Sequence, residues 1–307
     1  MHYSVMLKET IDSLNLESNG IYVDATLGYA GHSSYILKRI KGGRLFAFDQ
    51  DIEAINYSTK KLSAIGTNFK IIKSNFLFMK EELAKNNIFK VNGIVFDLGV
   101  SSPQLDNSER GFSYLHDAKL DMRMDKDNEL SAYEVVNTYS EKDLTRIIFS
   151  YGEENYAKSI ARNIVREREK KPIETTFELV EIIKHSMPYK KTIDKNPARR
   201  TFQAIRIEVN HELDILEESL RKALSILDLN GRMAVITFHS LEDKIVKKVF
   251  KEMTEVDKVV KGLPEIPEEY QPKFKIICDK LPSREELDEN NRSRSARLRV
   301  IERVRED

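Results

Sequence analysis

The sequence predicts an α/β fold: a doubly wound, mostly parallel sheet of seven strands, interrupted by an inserted all-helical segment. Three observations carry this. Apolar runs at residues 21–25, 45–49, 69–73 and 93–98 alternate with helical patterns at 33–40, 52–62 and 78–86, the rhythm of consecutive βαβ units. The alternation then stops, and from about 112 to 199 only helical patterns appear, at 132–137, 141–149, 154–169 and 177–186. Lys171-Pro172 and Asn196-Pro197 break them, because proline disfavours helix in the residue before it. The strand pattern resumes at 232–238, 273–278 and 296–303, which completes seven strands with the last one antiparallel. Leu213, Leu216, Leu220, Leu224 and Leu227 form one helical stripe before it, with Gly231 after it. The expected domains are 1–111 with 200–307, and an inserted helical domain over 112–199.

The loop after the first strand reads Asp24-Ala25-Thr26-Leu27-Gly28-Tyr29-Ala30-Gly31-His32. Gly28 and Gly31 stand where the backbone must turn tightly and let a ligand approach. The second strand ends on Asp49, 21 residues after Gly28, in reach of a ribose diol. The pair points to an adenosine-containing cofactor. The dinucleotide fingerprint G-x-G-x-x-G is absent, since the loop has only Gly28-x-x-Gly31. An acidic residue at the end of the first strand, Asp24, with this shorter loop suits a cofactor carrying an ammonium and a carboxylate. S-adenosylmethionine is such a cofactor.

These residues also resemble the bacterial small-subunit rRNA cytidine methyltransferases of the MraW/RsmH type. The resemblance runs in order through residues 2–7, 24–33, 48–51, 97–106, 109–113, 120–125, 200–207 and 238–243 to the Arg-rich end. One departure is Ala30, where that family usually has a second glycine; alanine is accommodated there if its φ lies below zero. The resemblance implies methyl transfer from S-adenosylmethionine to the N4 amino group of a cytidine in 16S rRNA within the small ribosomal subunit. It implies cofactor contacts at Asp24, Gly28, Ala30, Gly31, His32, Asp49, Phe76, Asp97 and Gln104.

Asp97 closes the fourth strand, followed by Ser101-Ser102-Pro103-Gln104, beyond the carboxyl edge where open sheets bind ligands. A cytosine amino nitrogen is a poor nucleophile because its lone pair is delocalised into the ring. Hydrogen-bond acceptors on its hydrogens localise that pair. A backbone carbonyl near Ser102 and the Asp97 carboxylate are candidate acceptors, so Ser102 and Pro103 are the expected catalytic segment. Asp97 is alternatively the holder of the cofactor ammonium, and the resemblance favours that role. Phe76 is either a wall for the adenine or an apolar cap on the core; the matching Phe of the resembled family contacts the cofactor.

Arg200, Gln203, Arg206 and Asn210 share one helix face, opposite Phe202, Ile205, Val209 and Leu213. That polar face either lines a substrate cleft, binding phosphate, or is simply solvated. Residues 151–206 hold 13 Lys/Arg against 8 Asp/Glu. Arg292 and Arg294, in a basic turn before the last strand, are candidate contacts to the RNA backbone. His239, at the tip of the fifth strand, is a candidate to face the target base. Ser240 with Asp243 reads as a helix N-cap with an acidic third residue.

Composition sets outer bounds. The 307 residues carry zero formal net charge, so bulk charge does not announce a nucleic-acid partner. The single Cys278 excludes an internal disulfide and fits a reducing cytoplasm. No apolar run approaches membrane-spanning length, and Lys8 and Glu9 interrupt any signal-peptide core. The histidines show no metal-ligand spacing, so no metal is expected. A homodimer stays open. Two rival readings are a dehydrogenase with a variant nucleotide loop and a non-catalytic ribosome-assembly factor; the second should have lost Asp49 or Gly28, and neither is lost.

Overall fold

The computed structural model describes residues 4–188, 196–256, 259–260 and 262–306. The chain forms two compact units, Met1–Gly99 with Leu213–Asp307, and Val100–Glu212.

The first unit is built on β1 (Ile21–Asp24), β2 (Arg44–Asp49), β3 (Phe69–Lys73), β4 (Val91–Asp97), β5 (Leu227–Thr237), β6 (Phe274–Lys280) and β7 (Arg297–Arg303). They form one sheet in the order β3-β2-β1-β4-β5-β7-β6. The first five strands pair in parallel, and β7 runs antiparallel to both β5 and β6. Strand period explains why both faces are covered. Phe46, Phe48, Ile94, Phe96, Met233 and Val235 point into one core with residues of α4 (Met79–Ala84), α11 (Leu216–Ser225) and α12 (Ser240–Thr254). Leu45, Ala47, Val95, Ala234 and Ile236, the alternate positions, share the other core with α1 (Leu7–Ser13), α2 (Gly31–Arg39) and α3 (Ile52–Ser63). The seven-stranded, doubly wound sheet is therefore the one the sequence predicts.

Gly231 follows the Leu-striped helix, as the sequence indicates. It lies inside β5, where the β4–β5 register shifts between Val91 and Gly93. A Cβ there would stand 2.8 Å from the Asp228 carbonyl oxygen and 3.1 Å from that of Val91, so only glycine fits.

The second unit packs α6 (Ala132–Thr138), α7 (Glu141–Ser150), α8 (Ala157–Arg168), α9 (Thr176–His185) and α10 (Arg199–Asn210) around one core. Capping boxes start two of them, Ser131 with Glu134 and Thr175 with Glu178. This unit extends beyond 112–199 on both sides. The reason is packing: Phe202, Ile205 and Val209, the apolar face of α10, belong to the same core as Ile147, Ile160 and Leu179.

Residues 112–131 hold no helix, against the purely helical expectation. Side chains supplement a few backbone hydrogen bonds there, such as Leu120 N–H to the Glu174 carbonyl and Met122 N–H to that of Arg110. The buried Arg110 guanidinium donates to the Arg123 carbonyl at 2.9 Å, and Arg123 forks onto Asp121 at 2.8 and 3.0 Å. Asn210 accepts the Met124 N–H and donates to the Met122 carbonyl, both at 2.8 Å, and Met122 has φ +60°. Gly111, at φ +68°, passes so close to Lys119 that a Cβ would lie 2.3 Å from its carbonyl oxygen.

This dependence is testable. Asn210→Ala strands a buried N–H and a buried carbonyl, and should lower unfolding free energy by about 1–3 kcal/mol with helical content unchanged. Denaturant titration measures it; an unchanged midpoint would show that the loop holds itself.

Candidate functional site

The carboxyl ends of β1, β2, β4 and β5 carry the chemistry-bearing residues of the first unit. The β1–α2 loop is tied down along its whole length. Gly28 N–H donates to Asp49 Oδ2 at 2.8 Å, and Asp51 N–H donates to Asp49 Oδ1 at 2.9 Å. Ser58 Oγ donates to the Gly28 carbonyl at 2.7 Å and Lys61 Nζ to that of Tyr29 at 2.8 Å. Thr26 Oγ1 accepts the Asp97 N–H at 2.7 Å, which fastens the loop to β4. Gly28 has φ +48° and Ala30 has φ +54°. The expectation of a negative φ at Ala30 is thus corrected. A left-handed alanine costs about 1–2 kcal/mol, offset here by a fully buried methyl group and by the Ala30 N–H donating to Leu27 O at 2.8 Å. Gly31 serves close approach, but the neighbour is protein: a Cβ there would lie 1.5 Å from Ser4 Oγ.

The electrostatics centre on Asp97. Parallel pairing of β1, β4 and β5 brings Asp24, Asp97 and Glu242 into Coulombic reach of one another. Asp24 is fully buried; it accepts Ser33 Oγ–H at 2.6 Å and Thr26 N–H at 3.2 Å. Glu242 accepts the N–H groups of Phe238 and His239 at 2.8 and 3.3 Å. Asp97 has less. Its side chain is 25% exposed, and His32 Nδ1 stands 3.6 Å from Oδ2. Asp97 Oδ1 and His32 Nε2 are out of water's reach with no hydrogen-bond partner among the described residues. Withdrawal from solvent, then the neighbouring Asp24 and Glu242 carboxylates, push Asp97 up to about 8. Burial pushes Asp49 up to about 6 and His32 down to about 4.

The remaining expected residues fall as follows. Phe76 follows Asn75, which caps a short 3-10 turn at Phe76–Phe78, and its ring meets Phe96 edge-on at 5.6 Å. Gln104 is buried in the second unit, on α5 (Ser102–Asp106), and its Oε1 accepts the Ser101 N–H at 3.0 Å. Ser102 and Pro103 begin α5; their side chains lie outside the described residues. His239 is the N-cap of α12, with Glu242 completing the capping box, so the cap lies one residue before the expected Ser240. Asp243 instead pairs with the buried Arg299 at 2.8 Å. Glu242, not the expected Asp243, is thus the acid three residues after the cap.

The polar face of α10 is partly engaged by its own unit, though the Arg200 side chain remains 55% exposed. Arg206 is bonded bidentately to Glu212 at 2.8 Å, Arg200 donates to the Glu153 carbonyl at 3.0 Å, and Gln203 donates to that of Tyr151 at 3.0 Å. Arg206 is thus tied to Glu212 within the second unit, while Arg200 keeps an exposed side chain. Arg292 and Arg294 are exposed on a 3-10 turn at Asn291–Ser295.

Sheet order and the carboxyl-edge loop define an α/β chain of the doubly wound class. Comparison with known proteins gives the narrower statement. The model of the MraW methylase family matches residues 1–304. A relative described as ribosomal RNA small subunit methyltransferase H, from Exiguobacterium sibiricum, is 51% identical over 308 residues, 99% of each chain. Solved structures aligning with the chain include an rRNA methylase from Streptococcus thermophilus (13% identity, TM-score 0.42, covering 94% and 90% of the two chains). TrmN from Thermus thermophilus aligns at 9% identity and TM-score 0.44, covering 97% of this chain and 48% of that one. The chain belongs to the MraW methylase family. No helix among the described residues is long and apolar enough to cross a membrane.

Asp97 gives a pH test. An unfolded aspartate ionises near 3.8, and the folded one near 8. Between these values the folded chain holds a proton that the unfolded chain has released, so stability falls as pH rises through that window. Asp97→Asn removes the penalty. Its melting temperature should exceed that of the parent at pH 8, with the gap closing towards pH 4. A variant less stable than the parent at pH 8 would show that Asp97 has a cationic partner in the folded state.

Proposed function

We propose that this chain transfers a methyl group from S-adenosylmethionine to the exocyclic N4 amino group of a cytidine in 16S rRNA of the small ribosomal subunit. The observation that carries the cofactor reading is the unmatched Asp97 Oδ1 at the end of β4, beside a fixed glycine loop and Asp49. A group that combines an ammonium with a ribose diol fits these residues. An ammonium beside Asp97 supplies the cation that its surroundings lack. Each Asp49 oxygen accepts backbone N–H groups and keeps lone pairs for hydroxyls. The resemblance assigns Phe76 to the adenine and Gln104 to the cofactor as well. When bound, the sulfonium supplies an electrophilic methyl group for in-line displacement.

The chain's own part is chiefly positioning. Gly28 and Ala30 hold the loop in its left-handed turns, Asp24 fixes Thr26 and Ser33, and His32, held neutral, keeps its ring against Asp97. The acceptors on the amino hydrogens are assigned to the Ser102-Pro103 segment. The cytidine must be unstacked to be reached. The rRNA substrate is carried over from the 51% identical relative, whose description names the small subunit rRNA. The exposed Arg292 and Arg294 are assigned to the RNA backbone, and substrate recognition to the second unit.

S-adenosylmethionine and S-adenosylhomocysteine should raise the melting temperature, and NAD should not, because a ligand of the native state stabilises by mass action. Stabilisation by NAD alone would return the dehydrogenase reading. Asp49→Ala removes charge-assisted hydrogen bonds worth roughly 1.5–3 kcal/mol, which is on the order of 10- to 150-fold in cofactor affinity by calorimetry. Mass analysis of 16S rRNA nucleosides from cells with and without the gene tests the product. Loss of N4-methylcytidine in its absence is the expected result.

A further inference from the structure

The outer faces of α2 and α3 carry a cluster that the cofactor reading does not use. On α2, Tyr35 is 42% exposed, and the Lys38 ammonium and Arg39 guanidinium stand 5.4 and 5.7 Å from its ring centre. On α3, Tyr57 is 51% exposed and packs on Tyr29 with ring centres 4.7 Å apart. Lys60 and Lys61 lie three and four residues further on, the same helical face. Lys61 is pushed below its ordinary range by burial and by the nearby Lys38. The two helices therefore share one continuous stripe of tyrosines and cations, running up to the glycine loop through Tyr29.

Two features say what covers it. The first is charge. Lys38, Arg39, Lys60 and Lys61 form no ion pair among the described residues, α2 contains no acidic residue, and α3 contains only Glu53 in its first turn. Arg221 of the same unit, by contrast, is paired with Glu217 and Glu252. A cation cluster left uncompensated fits a polyanion. The second is the aromatic content. Half-exposed tyrosines beside cations suit unpaired bases, which stack on rings while the phosphates meet the cations. A lipid surface instead calls for apolar side chains able to enter the acyl boundary.

We propose that this α2–α3 face binds a single-stranded segment of the RNA substrate flanking the target nucleotide. The proposal rests on the rRNA methyltransferase reading and assigns RNA binding to the unit that also carries the glycine loop. It gives that unit a contact surface separate from Arg292 and Arg294.

The test is the triple variant Lys38→Gln, Arg39→Gln, Lys60→Gln, which spares Lys61 because its ammonium holds the Tyr29 carbonyl. Affinity for small ribosomal subunits from cells lacking the gene is measured against salt concentration. The expected result is at least tenfold weaker binding near 0.1 M salt, with a log–log slope shallower by roughly 2, at about 0.7 per single-strand phosphate contact. Melting temperature and S-adenosylmethionine affinity should match the parent. Tyr35→Leu should weaken binding with the slope unchanged. If the parent methylates the subunit and the triple variant binds it with the parent's affinity and slope, this face is not an RNA contact and the functional reading stands. If the parent neither binds nor methylates the subunit, both fall. Salt-dependent binding to phosphatidylglycerol vesicles, lost in the triple variant while subunit binding is kept, would assign the face to a membrane and overturn the proposal.

Discussion

Asp97 ends β4 with one carboxylate oxygen that meets neither water nor a donor, and two further carboxylates, Asp24 and Glu242, stand close enough to oppose its ionisation. The arrangement follows from the sheet. Parallel neighbours align their carboxyl ends, so acids at the ends of β1, β4 and just beyond β5 must gather at one edge. The chain resolves the crowding unevenly. Asp24 and Glu242 receive hydroxyl and backbone donors, and both thereby act as local scaffolding, one for the loop and one for the start of α12. Asp97 receives no comparable donor and is held near neutrality. A site kept in this condition favours a cationic ligand, because binding restores the ionised carboxylate and relieves the mismatch together.

The glycine loop shows the same economy. Its left-handed turns at Gly28 and Ala30 carry strain, and the surrounding hydrogen bonds over-determine them. Asp49 is part of that network, since its carboxylate accepts the Gly28 and Asp51 amides. The loop is thus set by the protein, which lowers the ordering cost of binding.

Charge in this molecule is informative by its pairing, not its sum. Arg206 of α10 looks available in the sequence, yet its donors are bonded bidentately to Glu212. The lysines of α2 and α3 drew no attention in the sequence because nothing local marks them. They emerge only when two helices, separated by β2 in the chain, bring Lys38 and Lys61 near one another.

The sequence by itself determined the sheet, the inserted unit, the loop with Asp49, and the family. These rest on period, spacing and residue type, which are local: βαβ alternation, a 21-residue step from Gly28 to Asp49, and a carboxylate at a strand end. The MraW methylase family match agrees with that reading. Tertiary structure decided what local pattern leaves open. It placed α10 in the second core, because a helix with two usable faces joins whichever core its apolar side completes. It put His239, not Ser240, at the cap, since a cap is chosen by where the strand ends in space. It gave Ala30 a positive φ, filled the approach at Gly31 with Ser4, and bound Arg206 to Glu212. Each of these outcomes depends on a neighbour distant in the chain or on the direction in which the backbone arrives, and neither is encoded in a residue's own type.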